Sequence, residues 1–186
     1  MSRVLVPLAP GFEEIEAITV IDLLRRGGVE VIVASLDGAS VTGSHAIQVT
    51  PDMGLDAALE LEMDMVVLPG GLPGADNLEA DSRVIELLRR MADSERFTAA
   101  ICAAPKVLAA AGVLDGKRAT SYPGFLDEGN TPGLRLENRP VVRDGKVITS
   151  RGAGTAMDFA LALIESLKGS SKRDQVERAL QRPVSS

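Results

Sequence analysis

The 186-residue chain contains a single cysteine and a single histidine. One thiol closes no intramolecular disulfide, which suits a reducing compartment. Cys102 and His45 lie far apart in sequence and make no cluster of metal ligands. No histidine follows Cys102 to act as the base of a cysteine–histidine triad. Positive charge is also scarce. With 20 Lys and Arg against 26 Asp and Glu, the net charge is −6. The bases are scattered among acids, so no basic face is offered to a phosphate backbone and nucleic acid is not an expected partner. Long apolar runs are missing: Pro7, Pro10, Lys106, Asp158 and Glu165 interrupt every stretch that could cross a bilayer, and the first residues have no secretory h-region. These absences predict a soluble, cytoplasmic protein, for which neither metal nor cofactor is expected.

What is present is apolar material for a core: 45% of the residues are hydrophobic, enough for one domain spanning 1–186. Short β-rich runs alternate with helical patterns. "RVLVPLA", "VEVIVASL", "MDMVVLPGG", "FTAAIC" and "VITSRG" read as strands. Helices are expected at Phe12 to Arg26, around "LDAALELE" and "DSRVIELLRRMADS", from Ala103, and from Ala153 to Lys168. Such alternation implies an α/β fold, a mostly parallel sheet with helices on both faces. "VVRDGKVI" predicts a hairpin with Asp144-Gly145 in a type I′ turn, and the tail "QRPVSS" is expected to fray.

Ligands of open α/β sheets bind beyond the carboxyl ends of the strands. Cys102 ends "FTAAIC", Gly70 and Gly71 end "MVVLPGG", and Glu16 lies in the first turns after "RVLVPLA". Parallel strands would bring all of them to one edge. Projected at about 100° per residue, the first helix has a core-facing arc of Phe12, Ala17, Val20, Ile21, Leu23 and Leu24, and Glu16 falls inside it. A carboxyl there would be desolvated and held protonated. The alternative is an ordinary helix-start acid beside Glu13 and Glu14. The opposite arc carries Glu14, Thr19, Asp22, Arg25 and Arg26 together with Ile15 and Ile18, two apolar residues among charges that suggest a contact with a second copy of the chain.

A strand turning directly into a helix at Cys102 has the form of a nucleophile elbow. The following amides and the helix start would favour a thiolate. The plainer alternative is a cysteine packed as a small hydrophobe. "LPGGLPG" lacks the lysine and the spacing of a phosphate loop; its use is close backbone approach, with the Gly71 amide as half of an oxyanion hole. "SRGAGT" resembles an anion nest at a helix start, and Ser121 and Tyr122 fall at the same sheet edge.

The segments "LAPGFEEIEAITVIDLLRRGG", "DMVVLPGGLPGADNL", "AAICAAPKVLAAAGVLDG" and "ITSRGAGTAMDFALALIESL" resemble the ThiJ/PfpI superfamily, in the branch of the Parkinson-associated deglycase and its bacterial relatives. The resemblance runs from about Arg3 to about Ser170. It implies a flavodoxin-like three-layer sandwich, a homodimer, Cys102 as nucleophile, Glu16 as its protonated partner, and Gly71 and Ala103 as backbone donors. Gly70, Tyr122 and His45 would line the pocket, and Asp22 and Arg26 would lie near the dimer interface with Ile15 and Ile18. Tyr122 stands where the human member has a histidine, and His45 where it has an arginine of an anion-binding pocket. The implied activity is deglycase or glyoxalase III-like hydrolysis of methylglyoxal, glyoxal or glycated adducts. The rival function is that of a redox-sensing stress protein whose cysteine becomes a sulfinic acid, with chaperone activity as a third association of the family.

Overall fold

Strands buried on both faces must be apolar along their whole length, and the central runs of this chain are. The computed structural model describes residues 2–182. In chain order the elements are β1 (Arg3–Leu8), α1 (Glu14–Arg26), β2 (Glu30–Ser35), β3 (Val41–Thr42), β4 (Gln48–Val49), β5 (Met53–Gly54) and α2 (Leu55–Leu59). They continue with β6 (Met65–Leu68), α3 (Gly74–Ala80), α4 (Ser82–Asp93), β7 (Phe97–Ile101), α5 (Pro105–Ala110), β8 (Arg118–Ala119) and β9 (Arg135–Leu136). Last come β10 (Val141–Asp144), β11 (Val147–Ser150), a 3-10 turn at Ala153–Thr155, α6 (Ala156–Lys168) and α7 (Ser170–Ala179).

Seven strands form the main sheet in the order β10-β11-β7-β6-β1-β2-β5. Every pairing in it is parallel except β10 with β11. The pleat sorts the core into two layers. Val4, Val6 and Leu8 of β1 pack with Val67, Ile101 and Ile148 against the inner faces of α1 and α6. Leu5, Val66, Leu68 and Ala100 point the other way, toward α2, α3, α4 and α5. This is the flavodoxin-like three-layer sandwich. The chain leaves β1 in one direction to β2 and reaches β6 on its other side, so a topological switch point lies between β1 and β6.

Several expectations are corrected. α1 begins at Glu14 instead of Phe12: Gly11 turns through φ 85°, and Phe12 is buried as the chain enters the helix. Glu14 is not on a solvent face; it is 4% exposed, because the β3–β4 hairpin closes over it. The second hairpin turns at Gly145-Lys146, since Asp144 pairs with Val147. Of the two central residues only Gly145 has positive φ (61°), as a type II′ turn requires, whereas a type I′ turn needs it at both. The helix expected from Ala103 starts at Pro105, and the one expected from Ala153 opens as a 3-10 turn.

Two helices were not anticipated. α3 is short and lacks a side-chain N-cap. α7 buries only Val176 and is laced instead by charge, with Arg173 paired to Asp174 and Glu177, and Arg182 to Asp158 and Glu177. Of the expected frayed tail, Gln181 and Arg182 follow α7, and the rest lies outside the described residues. Among the described residues no helix is long and apolar enough to cross a membrane.

Candidate active site

The carboxyl edge of the sheet carries the site. β7 ends at Ile101, and Cys102 follows with φ 64°, a left-handed conformation that costs a residue with a Cβ and persists only where its surroundings enforce it. Two backbone hydrogen bonds enforce it: the Cys102 amide donates to the Ser150 carbonyl at 3.0 Å and its carbonyl accepts from the Tyr122 amide at 2.9 Å. The strand is thereby turned sharply, and the thiol is raised, half-buried, over the sheet edge.

Glu16 reaches the same point from α1. It is fully buried, and no side chain caps the helix start. The helix-start alternative is therefore not what its carboxylate does. Instead Oε2 accepts from the Gly70 amide at 2.8 Å, while Oε1 has no hydrogen-bond partner and the Cys102 thiol is close enough to lower the carboxyl's pKa. Gly70 is the spacer between them. A methyl group there would lie 2.6 Å from the Cys102 Cβ and 2.7 Å from Glu16 Oε2, closer than packed atoms tolerate. Gly71 has φ 87° and leaves room only for hydrogen, because a Cβ would come within 2.6 Å of the Gly11 carbonyl. The loop is pinned by the Glu13 amide, which donates to the Gly70 carbonyl at 2.9 Å.

The electrostatics follow from that packing. Burial pushes the Glu16 carboxyl up to about 7, against the pull of the Gly70 amide and the Cys102 thiol. Burial, and then the charge of an ionised Glu16, push the Cys102 thiol up to about 12, while hydrogen bonds from the Gly71 and Ala103 amides pull it down. The pair thus holds one negative charge at a time. With the proton on Glu16, the repulsion that opposes the thiolate is gone and the carboxylic acid becomes a donor toward sulfur. The amides expected to form an oxyanion hole therefore also act on the sulfur, easing its ionisation.

Of the sequence-derived set, Cys102, Glu16, Gly70, Gly71 and Ala103 are brought together. Tyr122 joins them at the rim, 52% exposed and packed edge-on to Phe125 at 6.0 Å. His45 does not. Its Nδ1 lies 3.0 Å from Glu14 Oε2 and 3.7 Å from Glu13 Oε1. Although no metal-ligand cluster was expected, the fold does assemble one carboxylate–imidazole group, Glu13, Glu14 and His45, with ligand atoms within 4.8 Å of one another; the sequence hid it by placing the histidine on a distant hairpin. Ile15 and Ile18 stand out from α1 at 58% and 44% exposure, and Asp22 pairs with Arg26 at 2.7 Å across one helical turn. Sequence reasoning missed the part played by Gly152, whose added Cβ would lie 4.0 Å from Cys102 Sγ. The strand rule applied to the carboxyl end of β11 would have found it.

A cysteine held at positive φ on the carboxyl edge of a mostly parallel sheet, beside a buried carboxyl, marks an α/β protein with a candidate thiol site. The chain belongs to the DJ-1/PfpI family, whose model matches residues 2–166. It is 45% identical to dj-1beta of Drosophila melanogaster over 95% of both chains. It is 34% identical to a deglycase of Pyrococcus abyssi over 89% of this chain and 99% of that one. The oxidized DJ-1 of Toxoplasma gondii superposes with a TM-score of 0.92 at 34% identity, covering 99% of this chain and 100% of that one.

Proposed function

We propose that this protein is a cysteine-dependent hydrolase of the deglycase or glyoxalase III type, acting on methylglyoxal, glyoxal or their adducts. The observation that carries the reading is the Cys102–Glu16 pair, held at contact by Gly70. With methylglyoxal, Sγ adds to the aldehyde carbon to give a hemithioacetal. Glu16 then carries a proton from that carbon to the neighbouring keto carbon while the hemithioacetal hydroxyl proton passes to the keto oxygen, leaving a lactoyl thioester. Water cleaves the thioester, lactate leaves, and the thiol is restored; the sum is methylglyoxal plus water to lactate. Gln cannot carry that proton, so Glu16→Gln is expected to slow turnover by about 10²–10⁴-fold, and Cys102→Ala to abolish it. Full lactate production by Cys102→Ala sinks the reading.

A second reading, redox sensing, is favoured by the Gly71 and Ala103 amides, which pull the Cys102 thiol's pKa down and would equally hold the oxygens of a sulfinic acid beside the Glu16 carboxyl. It expects Cys102 to be the first residue oxidised by modest peroxide. Mass spectrometry finding Met53 or Met91 oxidised ahead of it would count against sensing. Association as a homodimer through α1 is supported by the exposure of Ile15 and Ile18; Ile18→Glu should then shift the sedimentation profile toward monomer.

A further inference from the structure

Next to the thiol the surface opens into a groove of about 640 Å³ lined by Tyr122, Pro123, Pro140 and the segment from Arg151 to Thr155. Its connection to the reactive atom is Gly152: a Cβ added there would lie 3.6 Å from the Tyr122 ring and 4.0 Å from Cys102 Sγ. The walls are mostly apolar, with Tyr122 and Thr155 contributing hydroxyls. Among the described residues lining it, Arg151 is the only charged one. Its guanidinium bonds the neutral amide oxygen of Asn138, and among the described residues no carboxylate lies within ion-pairing distance of it. Arg83, Arg173 and Arg182, by contrast, each meet two or more carboxylates. An uncompensated guanidinium at the edge of an apolar cleft attracts an anion more strongly than it would in open water, and offers it bidentate hydrogen bonds.

We propose that Arg151 makes this groove a subsite for a carboxylate or phosphate group carried by the molecule that reacts at Cys102. The inference rests on the thiol chemistry proposed above and names its substrate class: dicarbonyls or adducts with an anionic arm, ahead of neutral methylglyoxal. Glu16 is the carboxyl nearest the thiol, and its raised affinity for a proton keeps a competing negative charge away from an incoming anion.

The test uses the thiol rather than turnover. Iodoacetate and iodoacetamide form the same Sγ–CH2 bond and release the same iodide, and differ in carrying a carboxylate or a neutral amide. Their rate ratio at Cys102 should fall about fivefold from wild type to Arg151→Gln, the scale of a unit-charge interaction across a partly solvated groove, and be largely kept in Arg151→Lys. Inorganic phosphate should slow alkylation of wild type and not of Arg151→Gln. An unchanged ratio overturns the subsite, and so does an equal fall in both rates, which would make Arg151 a prop for its loop. If the ratio is unchanged while methylglyoxal is still turned over, the subsite alone is lost. A charge-selective thiol without methylglyoxal turnover supports the subsite and removes the hydrolase reading.

Discussion

Glu14 and Glu16 sit two residues apart in the first turn of one helix, and both are withdrawn from solvent, at 4% and 0% exposure. Their chemistry is opposite. Glu14 Oε1 accepts from the His45 amide at 2.7 Å and the Ile47 amide at 3.3 Å. Its Oε2 meets the Ser44 hydroxyl at 3.2 Å and His45 Nδ1 at 3.0 Å. Burial alone would raise its pKa, yet these donors hold the carboxyl down at about 2. Glu16 has one amide and a thiol, and rises to about 7. Withdrawal from water therefore does not decide ionisation; the number of donors that come with it does. The same turn makes one carboxylate a permanent anion that clasps a hairpin, and the other a proton holder beside a nucleophile.

The sharpest way to break the comparison is to drive the second carboxyl from its partner. Gly70→Ala puts a methyl group between Glu16 and Cys102, 2.6 Å from the Cys102 Cβ and 2.9 Å from the Ile101 carbonyl, neither of which can yield without backbone movement. Displacing the pair by about 1 Å is expected to cost a hundredfold or more in Cys102 alkylation at neutral pH and in any turnover. Stability should fall by about 1–3 kcal/mol through overpacking. The Glu14 clasp should stay intact, with the amides of His45 and Ile47 still protected from hydrogen exchange. Wild-type alkylation rates in Gly70→Ala would refute the spacer role.

The two carboxyls should also be separable by pH. A folded pKa of about 7 against the ordinary carboxyl value of 4.5 means the native state binds the Glu16 proton more tightly than the unfolded chain. Stability therefore declines as pH rises from about 4.5 through 7. Glu14 is lowered to about 2 from the same 4.5, so its contribution is present above 4.5 and is lost as pH falls toward 2. Chemical denaturation across pH should show both limbs. Glu16→Gln flattens the neutral one and Glu14→Ala the acid one. Glu14→Ala also strands the His45 and Ile47 amides, a loss of about 2–3 kcal/mol near neutrality. A neutral limb that survives Glu16→Gln unchanged would mean the proton is held elsewhere.

How far the sequence reached is uneven in the same way. Glu16 was visible because its helical angle placed it among Leu23 and Val20, and Cys102 because the end of a strand ran directly into a helical pattern. Parallel topology then brought both to one edge with Gly70 and Gly71. Glu14 was misjudged, since periodicity reports which side of a helix faces the sheet and not what a distant hairpin lays over the other side. The clasp depends on Gly43, where a Cβ would lie 2.7 Å from Glu14 Cγ, and on Ser44 and His45 in a turn with no periodic pattern. The amides after Cys102 were expected at the thiol, but the action of the Gly71 amide on sulfur was hidden, because it depends on the positive φ of Gly71. α7 escaped because charge pairing, not an apolar face, holds it.

The smallest effect refines the clasp. His45 is largely exposed, and the Glu14 hydrogen bond is the first cause of its raised pKa, followed by the charges of Glu13 and Glu14. A histidine whose folded pKa is raised contributes stability below its unfolded value near 6.5, and that contribution is lost as pH rises through the folded value. His45→Asn should therefore lower stability on the acid side of neutrality, by less than Glu14→Ala does at the same pH, because the His45 and Ile47 amides still reach Glu14 Oε1. At pH well above the folded value the variant and the wild type should converge. The Cys102 alkylation profile should not move, since Glu16 keeps its amide from Gly70. A loss in His45→Asn as large as in Glu14→Ala would show that the imidazole, and not the two hairpin amides, is what ionises Glu14.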